Sequence, residues 1–382
     1  MESSSVFGKY PSLILFLAQN LILTPILARV RELSKKTLNS RFSHFVRAAA
    51  SAAQQSKSLG ESSSTSAKQR GVALISVLLV VAILVALSTQ LLSSHNLVVS
   101  QHQNSFEHNQ ALQYIYGAEE MTRQLLFDDF SNSGPGVDHL QESWAKAVIP
   151  FELDEGGFLE AQVRDLNGCF NVNSLNSATG ADNIKRLKRM LQKLGANPGL
   201  VDLIKDWLDL DQSVTGFGAE DNIYLGLTPP YRAANQLMQH ISELFLLDGI
   251  SSADIEAISP HLCILPNMEN KVNVNTAESI FLYSLDPGIA FDNAEQIVES
   301  EPSYTDVKTF VDANAEFQVV EPLLSVTSEY FELHAKVQVG ESSISVASLF
   351  FRNPDTGVVT LLQRDFAKTF QSNFVINVDV GA

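Results

Sequence analysis

From Gly71 to Asn96 no residue carries a formal charge, and the triplet Lys68-Gln69-Arg70 stands directly before this stretch. Its centre, Val72 to Leu87, is aliphatic apart from Ser76. A block of this length and polarity predicts a helix able to cross a bilayer. The basic flank lies on the N-terminal side, so that side is expected to stay in the cytoplasm and everything later to be exported. The rest of the chain therefore reads as a domain tethered to a membrane, not as a cytoplasmic enzyme.

Charge is divided at the same place. Residues 1–71 hold 10 basic and 3 acidic side chains, and the remainder holds 16 against 40, out of a chain total of 26 Lys+Arg and 43 Asp+Glu. An exported part so acidic argues against nucleic acid, whose backbone requires cationic partners. It suits acidic ion sites or a body that repels anionic surfaces. The length after the apolar block is enough for two cores. The two cysteines, Cys169 and Cys263, read in an oxidising compartment as one disulfide, against the alternative of two buried thiols.

The first 70 residues are less legible. Leu13–Leu17 and Leu21–Leu23 form a second apolar stretch interrupted by Gln19, Asn20 and Pro25, followed by basic residues from Arg29 to Arg47 and a Ser-rich linker from Ser56 to Ser66. One reading is an additional membrane helix. The other is a leader or extension that is removed.

Between Val72 and Phe130 there is no proline and one interior glycine, Gly117. A continuous helix over that span would be roughly 85–90 Å long. Its outer half is expected to be amphipathic, with Leu112, Ile115, Ala118, Met121 and Leu125 on one face. The segment Ser131 to Gly136 should end it. His95, His102 and His108 are too unevenly spaced to converge and read as solvated.

Strands are predicted at Phe158–Val163 and, after an Asn167-Gly168 turn, at Cys169–Val172. They return at Tyr330–Val339, where Phe331, Leu333, Ala335, Val337 and Val339 alternate, then at Ile344–Phe350 and Val358–Leu362, as an antiparallel meander. The region between has a helical pattern. It carries a weak repeat, Phe170-Asn171-Val172-Asn173-Ser174-Leu175 and Val272-Asn273-Val274-Asn275-Thr276-Ala277, in which Ser174 and Thr276 are candidate helix N-caps. The paired units resemble helix-hairpin-helix modules. Lys185, Arg186, Lys188, Arg189 and Lys193 would then be the phosphate contacts, but the surplus acid and the exported location favour a scaffold.

The most chemically specific segment is Asp206-Trp207-Leu208-Asp209-Leu210-Asp211, then Gly216-Phe217-Gly218-Ala219-Glu220-Asp221, then Pro229-Pro230-Tyr231-Arg232-Ala233-Ala234-Asn235. Clustered acids around a glycine loop supply hard oxygens, and calcium takes six to eight of them. The spacing is not that of an EF-hand, so on the residues alone a solvated acidic loop stays an open reading.

Lys-Gln-Arg-Gly71 followed by Val-Ala-Leu-Ile-Ser resembles the processing site of type IV prepilins and type II secretion pseudopilins, cut by a prepilin peptidase after Gly71 to leave Val72 as the new N-terminus. Most members carry glutamate at the fifth mature position, and here that position is Ser76. Its lack resembles the minor pseudopilin K branch and implies a terminal place in assembly. The acidic segments, in their order and followed by Glu243-Leu244, resemble the calcium-binding helical insertion of that family. The resemblance covers about 68–366. It implies Asp209, Asp211, Glu220 and Asp221 as calcium ligands, with Asn235 as a further one and Asp206 as a structural acid.

The fold implied is α+β: a pilin-like long N-terminal helix packed on an antiparallel sheet, with a large all-helical insertion. Its divisions are a leader at 1–71, a transmembrane part at 72–92, helix and first strands at 93–173, the insertion at 174–324, C-terminal strands at 325–366 and a tail at 367–382. The implied function is that of a minor pseudopilin in the inner membrane with its C-terminal domain in the periplasm. It would cap the pseudopilus tip with other minor pseudopilins, with exported substrates as further contacts. The alternatives are a membrane-anchored calcium-dependent binding protein unrelated to secretion, and an exported nucleic-acid binder. No nucleophile elbow, phosphate loop or zinc-protease helix points to catalysis.

Overall fold

The computed structural model describes residues 68–368 apart from 134, 135, 147, 154, 155 and 270. The expectations for the leader and for most of the tail lie outside the described residues. The chain divides into two units, 1–92 and 93–382.

Helix α1 runs Lys68–Ser133. Its described residues from Ser76 to Phe106 are all exposed, and it holds one segment long and apolar enough to cross a membrane. His95, His102 and His108 are exposed. In the second unit α1 buries Ala111, Ile115, Ala118, Glu119, Thr122 and Leu126. Met121 is 57 % exposed, which corrects the predicted face: the stripe advances by three and four residues from Ala111 and reaches Leu126, not Leu125. A buried acid and threonine within it hid the period. Glu119 accepts from Ser348 Oγ at 2.7 Å and from Arg364 Nε at 2.7 Å, so its burial is answered by the sheet.

That sheet is built from β1 (Val148–Glu152), β2 (Gly157–Asp165), β7 (Tyr330–Val339), β8 (Ser342–Arg352) and β9 (Val359–Asp365), in the order β1-β2-β7-β8-β9 and antiparallel throughout. In β7 the alternation read from the sequence is the one observed: Phe331, Leu333, Ala335, Val337 and Val339 are at most 4 % exposed and meet the α1 stripe in one core with Trp144 and Phe350. Strand β1 contains Pro150 and no alternation, so nothing in its sequence marked it.

Between β2 and β7 the chain makes the insertion. In order it holds β3 (Phe170–Asn171), α2 (Gly180–Leu194), α3 (Leu200–Leu208), α4 (Asp221–Tyr224), α5 (Ser252–Ile258), β4 (Leu262–Cys263), β5 (Val272–Asn273), α6 (Ser279–Ser284), α7 (Phe291–Glu299), α8 (Val307–Ala313) and β6 (Leu324–Ser325). Asn167-Gly168 does turn the chain, in a short 3-10 helix, but it does not close a hairpin, because β3 pairs with β4 in parallel.

The internal repeat is real, and its working residues are the asparagines. Asn173 donates from Nδ2 to Met238 O at 3.0 Å and accepts from Met238 N at 2.9 Å. Asn275 does the same with Tyr304, at 3.0 and 2.8 Å. The strand before each asparagine pairs in parallel with the strand that ends its half, β3 with β4 and β5 with β6. A side-chain amide bonded both ways to a buried backbone satisfies groups that no regular element reaches. Ser174 and Thr276 are not N-caps. Ser174 lies inside a 3-10 helix that Asn171 caps, and Thr276 Oγ1 donates to Asp165. Asp165, 5 % exposed, also accepts from Ser328 Oγ, Asn273 Nδ2 and Asn167 N, where the insertion leaves and rejoins the sheet. Cys169 and Cys263 form a disulfide there, with Cα atoms 5.9 Å apart.

The basic face of α2 is committed internally. Lys185 pairs with Asp182 at 2.8 Å, Lys188 with Asp202 at 2.6 Å, and Arg186 donates to Leu285 O at 3.2 Å. Arg189 donates to Tyr283 O at 2.9 Å and Ile289 O at 2.8 Å, while Lys193 sits 3.9 Å from the centre of the Phe291 ring. Arg186, Arg189 and Lys193 thereby fasten the first half of the insertion to the second.

Candidate metal centre

Helix α3 ends in the acidic segment. Its apolar face (Leu200, Val201, Ile204, Leu208) is in the insertion core, which fixes where Asp202, Asp206 and Asp209 project. Asp206 is fully buried and both its oxygens accept from Thr215 N, at 3.2 and 3.0 Å. Burial pushes its carboxyl above the usual range, and the Thr215 amide opposes that. It is a structural acid that folds the following loop back onto α3.

The two loop glycines exist for this return. A Cβ on Gly218 would stand 2.0 Å from Asp206 Oδ2, and one on Gly216, at φ +54°, 2.5 Å from Asp202 Oδ2. The loop thereby delivers Glu220 to Asp209 and Asp211. One carboxylate oxygen from each of the three lies within 4.8 Å of the others.

The hydrogen-bond partners distinguish this group from an ordinary acidic loop. Asp209 Oδ1, both oxygens of Glu220 and Asn235 Oδ1 are buried with no hydrogen-bond partner, and Glu220 as a residue is only 1 % exposed. Burial, then the neighbouring Asp206, Asp209, Asp211 and Asp221, raise the Glu220 carboxyl to about 7. Asp211 Oδ1 accepts from Ser213 N at 2.8 Å, which holds its carboxyl below the usual value. Orphaned buried oxygens are rare and demand an explanation. A donor set of carboxylate and amide oxygens, with no nitrogen or sulfur, could hold a hard cation such as calcium.

Of the five ligands expected, Asp209, Asp211 and Glu220 are brought together, and Asn235 has a buried Oδ1 without a hydrogen-bond partner. Asn235 is fixed at φ +47° by its N–H donating to Trp207 O at 3.0 Å. Asp221 is set apart. Its Oδ1 accepts from Ala233 N at 3.0 Å and its Oδ2 meets Arg232 Nη1 at 3.3 Å, so it secures the Pro-Pro-Tyr-Arg segment. Glu243 holds Trp207, accepting from its indole Nε1 at 3.0 Å. Lys205, which the sequence reading passed over, lies 3.3 Å from Asp209 Oδ2. Its i, i+4 spacing from Asp209 on a helix was the signal available.

A cavity of about 580 Å³ lies elsewhere, between the sheet and the insertion. Six of its charged and imidazole side chains are mutually paired: His240 with Asp365 at 2.6 Å, His334 with Glu332 at 2.6 Å, and Arg164 with Glu278 at 2.9 Å. The orphaned oxygens, not this cavity, mark the candidate site.

A long helix half exposed and half packed on an antiparallel meander, opened by an insertion with an acidic centre, defines a pilin-like subunit of the secretion type. The family described as "Type II secretion system (T2SS), protein K" matches residues 168–267. A protein K of Pseudomonas aeruginosa is 39 % identical over 246 residues, 61 % of this chain and 72 % of that one. One from Aeromonas hydrophila is 31 % identical over 322 residues, 77 % and 96 % of the two chains. A crystal structure of the GspK-GspI-GspJ complex from enterotoxigenic Escherichia coli aligns with TM-score 0.62 and 26 % identity, over 70 % of this chain and 100 % of that one. The chain belongs to the type II secretion system protein K family, and its role is that of a minor pseudopilin, a structural part of the secretion machinery. The reading as a binding protein unrelated to secretion falls away with that membership.

Proposed function

We propose that this minor pseudopilin is cut after Gly71, anchored in the inner membrane by the apolar part of α1 with residues beyond it in the periplasm, and placed at the pseudopilus tip with other minor pseudopilins. The observation that carries this reading is the insertion itself: 164 residues, Leu166 to Glu329, leave the sheet between the adjacent strands β2 and β7. A subunit bearing that mass on its sheet end caps a filament more readily than it stacks within one. Ser76 in place of the usual glutamate fits the same position, since the terminal subunit has no neighbour beyond it to pair. The assembly of a related chain, GspK, in a complex with GspI and GspJ supports minor pseudopilins as the partners. In the proposal, Asp209, Asp211, Glu220 and Asn235 hold calcium, which neutralises the carboxylates and fixes the 210–220 loop on α3.

N-terminal sequencing of protein recovered from membranes tests the processing step: the expected first residue is Val72, and a chain beginning at Met1 contradicts it. Co-purification with the other minor pseudopilins is expected from detergent extracts, and isolation of the chain alone under the same conditions contradicts the tip assignment.

A further inference from the structure

Each acid around the loop has a dedicated partner except the orphaned ones. Asp202 has Lys188 at 2.6 Å, Asp221 has Arg232 at 3.3 Å, and Asp206 has the Thr215 amide. Asp209 alone belongs to both classes. Its Oδ1 is orphaned among the candidate ligands, while its Oδ2 faces the Lys205 ammonium at 3.3 Å. That ammonium is itself held from the other side, donating to Asn176 Oδ1 at 3.1 Å in the 3-10 helix before α2. Both charged side chains are largely covered, 21 % exposed for Lys205 and 12 % for Asp209, so their pairing is weakly screened. The charge of Lys205 also reaches Asp211, where it helps hold the carboxyl down.

From this placement we infer that Lys205 is a built-in counter-cation that sets the calcium affinity of the Asp209–Asp211–Glu220 site low, and keeps Asp209 aimed while no ion is bound. The inference rests on the calcium reading proposed above. A divalent ion entering beside Asp209 meets a fixed positive charge and finds Oδ2 already engaged, so Asp209 offers it one oxygen instead of two. Calcium affinity follows the charge and number of the ligands, and extracellular modules work at roughly 10⁻⁴–10⁻³ M. A site weakened in this way stays empty at cytoplasmic calcium and fills after export, where the loop it orders is needed. The tether to Asn176 keeps the ammonium in place, since a free lysine would simply swing into solvent.

The test is calorimetric titration of calcium chloride into the full-length chain in detergent, alongside thermal melts in chelator, for wild type, Lys205→Met and Lys205→Arg. Lys205→Met is expected to melt lower without ion and yet to bind calcium on the order of tenfold more tightly. Lys205→Arg, which keeps the charge, should stay near wild type. Equal or weaker calcium binding by Lys205→Met overturns the inference and leaves Lys205 a purely structural partner. Should Lys205→Met fail to fold, Asn176→Ala, which releases the ammonium and gives up the 3.5 Å bond from Asn176 Nδ2 to Leu208 O, is expected to tighten binding by a smaller factor, and no tightening overturns the inference equally. A wild-type chain that takes up no calcium is a separate outcome: it removes the ion site, and the inference with it.

Discussion

Two groups of three acids are drawn within coordinating distance among the described residues, Asp129–Asp138–Glu142 and Asp209–Asp211–Glu220, and they differ in what answers their charge. In the first, Arg352, whose side chain is 5 % exposed, reaches Asp129 at 3.2 Å and Asp138 at 2.5 Å, while Trp144 Nε1 donates to Glu142 at 2.7 Å. Burial raises Asp129 to about 6 and Asp138 to about 7 even against the pull of the guanidinium. The protein fills that site with its own cation. In the second group the cation at hand, Lys205, engages one oxygen and leaves three carboxylate oxygens and the Asn235 carbonyl orphaned. The two groups therefore differ in what is left over: buried oxygens without a hydrogen-bond partner occur at the second and not at the first.

Removing Arg352 should break the closed site outright. Arg352→Met leaves buried acids without a counter-charge, and a loss of about 3–5 kcal/mol is expected in denaturant melts. At the open site the sign reverses: Glu220→Gln should be tolerated in chelator but should abolish the rise in melting temperature with calcium. In wild type the stabilisation behind that rise should approach about 2.7 kcal/mol when calcium is 100-fold above its dissociation constant.

The pH dependence sharpens the contrast further. Glu220 binds its proton more tightly folded than unfolded, so ion-free stability falls as pH rises from about 4.5 to about 7. The upper bound of that fall is on the order of 3 kcal/mol. Asp129 and Asp138 titrate in the same direction over an overlapping range, so the diagnostic quantity is the part of the slope that calcium removes. That part should vanish in Glu220→Gln, and a calcium-insensitive slope in wild type would count against the open site. The smallest effect expected is that of Asp221→Asn, whose oxygens serve Arg232 and Ala233. Its calcium affinity should weaken by a factor of about three or less, and loss of binding would return Asp221 to the ligand set.

The sequence told these regions apart only in part. Strand β7 was legible to its last residue because burial on one face imposes a period of two. The acids that the structure gathers, Asp209, Asp211 and Glu220, were legible as a group because their order along the chain is that of a known family. Asp221 was not separable from them, since its diversion depends on Arg232 and on a backbone amide twelve residues away. Arg352 and its acids are more than 200 residues apart in the chain, so that cluster left no local trace. The asparagines of the repeat were visible as letters, but serine and threonine looked like the caps because local capping rules apply before long-range amide pairing is known.

The chain has two tryptophans, and each belongs to one of the acidic groups: Trp144 bonds Glu142 and Trp207 stands two residues before Asp209. Terbium luminescence excited through tryptophan thus asks directly which cluster takes an ion. The account predicts sensitised emission that calcium competes away, that disappears in Trp207→Phe and in Glu220→Gln, and that persists in Trp144→Phe. Emission that survives Trp207→Phe and is lost in Trp144→Phe, or no emission at all, would contradict it.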